Sequence, residues 1–81
     1  MVFSNEAVKD LEKLDKKTAK RIIKKLKWFS EQDQPLFFAI SLSYKTIGEY
    51  RYRIGDYRVI FDYQKEKIII LRIGHRSTIY K

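Results

Sequence analysis

At 81 residues the chain reads as one domain, 1–81, in which folding removes only about 60 to 65% of the unfolded surface from water. It has no cysteine, which excludes disulfides, thiolate chemistry and a cysteine-type zinc site and fits a cytoplasmic setting. Eighteen Lys and Arg against ten Asp and Glu leave a formal charge of +8, which favours RNA, DNA or an acidic protein as partner; the longest aliphatic run, Ile68 to Leu71, is far below the roughly 18 to 20 residues of a membrane span. Charged Glu6, Lys9 and Asp10 break any signal-like start.

Ser4 can cap a helix in which Ala7, Val8, Leu11 and Leu14 recur at helical spacing, with Glu6 favourably placed in the first turn and an end near Asp15. A second stripe at Ala19, Ile22, Ile23, Leu26 and Phe29 fades before Pro35, so the two segments predict a helical hairpin. Lysines and Arg21 fill the outward faces between Lys9 and Lys27, as a solvated surface would require, and Trp28 on the edge of the stripe reads as core.

Residues 33 to 48 carry no motif. Asp33 and Pro35 mark a turn, Leu36 to Leu42 is apolar enough to pack down, and Lys45 can extend a basic surface. The next stretch, EYRYRIGDYRVIFDY from Glu49 to Tyr63, is the most informative in the chain. Gly55-Asp56 between alternating residues predicts a two-residue hairpin with glycine where a type II′ turn needs it. That turn sets Ile54 opposite Tyr57, Arg53 opposite Arg58, Tyr52 opposite Val59 and Arg51 opposite Ile60. By parity the tyrosines, Ile54, Val59 and Phe61 share the face that seats the helices. Arg51, Arg53 and Arg58, with Ile60 and Asp62 beside them, share the other.

Like charges opposite one another on a sheet cost about 0.2 to 1 kcal/mol, so Arg53 facing Arg58, with Arg51 close by, works against folding. A phosphate bound by guanidinium forks would account for that cost; pairing with Glu49, Asp56 or Asp62 on an ordinary wet surface is the alternative. A third strand, Lys67 to Gly74, follows a loop of two, three or four residues, and the loop length decides which way Arg72 points. The chain then closes in GHRSTIYK, which places the only histidine, His75, next to Arg76 and near Tyr80.

These residues suffice for RNA cleavage without a metal or cofactor. The 2′-hydroxyl of the substrate attacks its own phosphate, and the enzyme supplies acid, base and positive charge. His75 can exchange a proton near neutrality, Tyr80 can serve as base where arginines favour its charged form, and Arg51, Arg53 and Arg58 can stabilise the pentacovalent phosphorane. One histidine and scattered carboxylates make no recognisable metal cluster.

YRYRIGDYRVIFDY followed by IIILRIGHRSTIY resembles the RelE/ParE superfamily of toxin-antitoxin toxins, on its RelE side, and FSNEAVKDLEKLDKKTAKRIIKKL is similar to that superfamily's first strand and helical hairpin. The resemblance implies an α+β fold, with the N-terminal helical hairpin packed on one face of a small antiparallel β-sheet. It implies a ribosome-dependent messenger RNA endonuclease with 16S ribosomal RNA contacts, a silencing cognate antitoxin, and contact with DNA only through the antitoxin complex. Arg51, Arg53 and Arg58 fall at the family's basic strand positions, Tyr80 at its C-terminal tyrosine, and its late arginine at His75 or Arg76, which leaves the proton donor open between those two. The superfamily also hosts gyrase inhibitors that perform no chemistry, and an inactive antitoxin-binding member is a third possibility. Against the family pattern, the start implies a stunted first strand and the end lacks a terminal helix.

Overall fold

The computed structural model describes residues 1–42 and 47–80. Its elements are β1 (Val2–Phe3), α1 (Asn5–Glu12), α2 (Lys16–Ser30), a 3₁₀ turn (Pro35–Phe38), β2 (Ile40–Ser41), β3 (Tyr50–Ile54), β4 (Tyr57–Gln64) and β5 (Lys67–His75). The strands form one sheet in the order β1-β5-β4-β3-β2. It is antiparallel except for the stunted β1, which runs parallel to β5, so the sheet is mixed where the sequence suggested an antiparallel one.

Side-chain caps fix where both helices begin. The Ser4 hydroxyl accepts the Ala7 N–H at 3.0 Å and donates to the Leu71 carbonyl at 2.9 Å, so one residue starts α1 and ties it to β5. Asp15, expected near the end of the first helix, instead caps α2 by accepting the Thr18 N–H at 3.3 Å, and the Thr18 side chain first, then its N–H, holds the Asp15 carboxyl below the usual range. Ile22 and Leu26 of α2 are fully buried, whereas Val8, Ile23 and Trp28 stay half-exposed at the margins of their stripes, Trp28 against expectation.

The helices cover the predicted tyrosine face. Phe29, Tyr52 and Phe61 stack in series with ring centroids 4.1 and 4.3 Å apart, and Tyr50 continues the series at 5.6 Å from Phe61. Tyr52 is fully buried and donates its hydroxyl to the Pro35 carbonyl at 2.9 Å, which fastens the 3₁₀ turn to the core. Burial pushes the Tyr52 phenol up to about 12.

All four cross-strand pairs expected around Gly55-Asp56 are present. Gly55 has φ +59° while Asp56 does not take a positive φ, the pattern of a II′ turn. The β4–β5 connection is also two residues, but Lys65 (φ 50°) and Glu66 (φ 62°) are both left-handed, which costs roughly 1 to 2 kcal/mol per residue for side chains of this kind. Leu71 is the extra residue of a β-bulge: Phe61 faces Ile70, while Ile60 faces Arg72. The bulge reverses the parity that a two-residue turn alone would impose, and α1 secures it. Asp10 accepts the Ile73 N–H at 2.9 Å and two bonds from Arg72, at 2.8 and 3.3 Å.

Candidate functional site

The register puts Arg51, Arg53 and Arg58 on the sheet face turned away from the helices. Arg51 faces Ile60, and Arg58 stands between Arg53 on β3 and Gly74 on β5, which has no side chain. The like-charged pair is real, and Arg58 relieves it by folding back so that its Nη1 donates to the carbonyls of Gly55, at 3.1 Å, and Tyr57, at 3.0 Å. Arg53 is exposed and also borders a groove of about 450 Å³ between α2 and the end of β3, with Arg21, Lys24, Lys25 and Trp28.

None of the three arginines forms an ion pair with a carboxylate among the described residues. The ion pairs there are Arg72–Asp10 at 2.8 Å and Arg76–Asp56 at 3.8 Å, and Asp62 is occupied by the Glu49 N–H at 2.9 Å. Arg51 makes a different contact. Its Nη1 donates to the Tyr80 hydroxyl oxygen at 2.9 Å, its guanidinium carbon sits 5.9 Å from the centre of that ring, and its Nε is buried without a hydrogen-bond partner among the described residues. Tyr80 is 49% exposed, so the pair opens to solvent. Next to it lies a cleft of about 330 Å³ bordered by Asp10, Ile47, Arg72, Gly74, Thr78 and Tyr80.

Two of the remaining sequence candidates sit apart from this group. His75 faces Tyr57, so it belongs to the helix-side set, with its ring edge-on to Tyr57 at 5.6 Å. The Ser77 N–H donates to His75 Nδ1 at 3.1 Å, which leaves the proton of the neutral ring on Nε2. Arg76 is exposed; beyond its ion pair with Asp56, its N–H donates to the Asp56 carbonyl at 2.8 Å, tying the chain end to the II′ turn. Lys45 lies outside the described residues. Arg72 shares the arginine parity through the bulge but is held by Asp10, whose hydrogen bond and charge raise the Arg72 pKa. Asp10 was not legible as part of the site, because a carboxylate between helical apolar positions looks solvated. Among the described residues no group of three or more His, Cys, Asp or Glu converges to hold a metal ion, and no helix is long and apolar enough to cross a membrane.

The comparisons with known proteins agree with this architecture. The chain is similar to the RelBE2 toxin-antitoxin complex from Mycobacterium tuberculosis, with 26% identity over 91% of this chain and 93% of that one and a TM-score of 0.75. It is likewise similar to the RelB-RelE antitoxin-toxin complex from Methanococcus jannaschii, with 26% identity over 99% of this chain and 95% of that one and a TM-score of 0.67. No curated protein matches by sequence. The family model for the ParE toxin of the type II toxin-antitoxin system, parDE, matches residues 1–80. With two helices on one face of a five-stranded sheet, the chain belongs to that family and is a toxin of a type II toxin-antitoxin system.

Proposed function

We propose that this toxin is a metal-independent endoribonuclease that cuts messenger RNA on the ribosome, with Arg51, Arg53 and Arg58 on the scissile phosphate and Tyr80 at the 2′-hydroxyl. The observation that carries the reading is that three arginines share one sheet face by register, none paired with a carboxylate among the described residues and one hydrogen-bonded to the Tyr80 hydroxyl. Arginines left unpaired beside one another are costly unless an anion joins them. In the reaction the 2′-oxygen bonds to phosphorus as the bond to the 5′-oxygen breaks, giving a 2′,3′-cyclic phosphate and a free 5′-hydroxyl. Tyr80, as the phenolate whose charge the Arg51 donor holds, takes the 2′ proton and becomes the neutral phenol as the 2′-oxygen bonds to phosphorus. The proton for the leaving 5′-oxygen is assigned to His75 or Arg76, both of which stand apart from the arginines in the free toxin and would have to approach the phosphate when RNA binds. A cognate antitoxin would silence the site, by analogy with the similar structures, which are toxin-antitoxin complexes.

Primer extension on ribosome-bound message tests this. Cuts at fixed codon positions are expected, and they should vanish in Arg58→Ala and in Tyr80→Phe; cutting that persists in both rejects the site. Comparing His75→Ala with Arg76→Ala then assigns the donor. A second reading, a ParE-like gyrase inhibitor that performs no chemistry, draws on the family description and on His75 standing apart from the arginines. Growth arrest with inhibited supercoiling and an uncut message would favour it.

A further inference from the structure

The arginine face contains a small apolar contact that serves neither the core nor phosphate binding. Within residues 76–80 Ile79 alone is buried, although it is not part of the cluster beneath the helices. It lies against Gly74: a Cβ built at that glycine would meet Ile79 Cδ1 at 2.8 Å, with Ile79 Cβ at 3.5 Å and Cγ1 at 3.7 Å. Gly74 faces Arg58, so the space where its side chain would stand opens on the arginine side, and Ile79 fills it. The chain reaches this point through one tight turn in which the N–H groups of Thr78 and Ile79 both donate to the His75 carbonyl at 3.0 Å. The next residue is Tyr80, set against Arg51.

We infer that Gly74 and Ile79 are positioning residues for Tyr80: the vacancy at Gly74 is a socket, Ile79 is the plug, and their fit is what holds the phenol beside Arg51. A half-exposed tyrosine held by one solvent-facing hydrogen bond would not by that bond alone keep a fixed place. The upstream tie, Arg76 to Asp56, fixes the start of the turn, and the plug fixes its end. The Cβ of any side chain at position 74 must displace Ile79 Cδ1, and the plug that seats Tyr80 shifts with it, although the sheet itself is untouched. The seating of Tyr80 stands on geometry alone, and its effect on turnover rests on the ribonuclease reading given above.

The contact predicts a specific suppressor. The atom in the way is Ile79 Cδ1, and Ile79→Val removes it while keeping a branched plug. In Gly74→Ala the ring resonance of Tyr80, identified by its loss in Tyr80→Phe, should move toward that of an unstructured tyrosine, and single-turnover cleavage should fall at least about tenfold, within the range that a displaced acid–base group commands. Gly74→Ala with Ile79→Val should recover the resonance and bring cleavage back to within about threefold of Ile79→Val alone. Ile79→Ala, which empties the socket without altering the strand, should release Tyr80 in the same way and serves where Gly74→Ala fails to fold. A Tyr80 resonance unmoved in the folded single variants, or a double variant no better than Gly74→Ala, overturns the inference. If the unaltered toxin cuts no message, the ribonuclease reading fails, and the resonance arm still decides whether Gly74 and Ile79 seat Tyr80.

Discussion

The two faces of the β3–β4 hairpin are made from alternate residues of the same strands, yet they do opposite work. Tyr52, Val59 and Phe61 are fully buried beneath α1 and α2, whereas Arg51, Arg53 and Arg58, each one residue away, form no ion pair among the described residues. A pleated strand can therefore place its stability on one parity and keep the other for charge that works against folding. Substitutions on the first face should move stability and carry activity with it. On the second they should move activity alone, or move the two in opposite directions.

The largest effect belongs to the buried series. Phe61→Ala opens a cavity between Tyr50 and Tyr52 and should cost about 3 to 5 kcal/mol by chemical denaturation, with toxicity lost because the fold is lost. Next comes alkaline pH. Tyr52 resists ionisation in the folded protein up to about 12, while its unfolded value is near 10, so its contribution is intact below pH 10 and is lost as pH rises from 10 to 12. Across that window the protein should lose about 2 to 3 kcal/mol that Tyr52→Phe does not, as read from paired denaturation curves. Asp10→Asn, which weakens the link from α1 to the bulge, should cost about 1 to 3 kcal/mol, measured in the same way. The smallest change carries the opposite sign: Arg53→Thr removes the like charge facing Arg58 and should gain about 0.2 to 1 kcal/mol while abolishing cleavage. A loss of stability in that variant would mean that the arginine face is structural.

The hairpin was legible in full because strict alternation around Gly55-Asp56 admits one register. Both helices were legible from their stripes, but not the boundary at Asp15, where one carboxylate could end the first helix or begin the second. β2 went unread because a strand of two residues has no period. The direction of Arg72 and the face of His75 were undetermined for a physical reason: Lys65-Glu66 contains no glycine to announce a turn with two positive φ values, and nothing in IIILRIGH marks Leu71 as the surplus residue. The placement of Arg51, Arg53 and Arg58 on one sheet face was therefore readable from residue spacing alone. The contact of Ile79 with Gly74, which depends on shape, and the hold of Asp10 on Arg72 and Ile73, which depends on the bulge, were not.

The surplus residue at Leu71 also separates β5 into two halves that keep different counts. Lys67–Ile70 follows the hairpin turn, and Arg72–His75 follows the arginine face. Losing the codon for Leu71 would close the ladder while every remaining side chain keeps its orientation, so shortening there costs the Ser4 bond to the Leu71 carbonyl but leaves both faces of β5 in place. The same deletion at Gly74 would move His75 opposite Arg58 and drag the tyrosine-bearing end out of place. Length variation among relatives of this toxin should therefore collect at the bulge and stop abruptly beyond it.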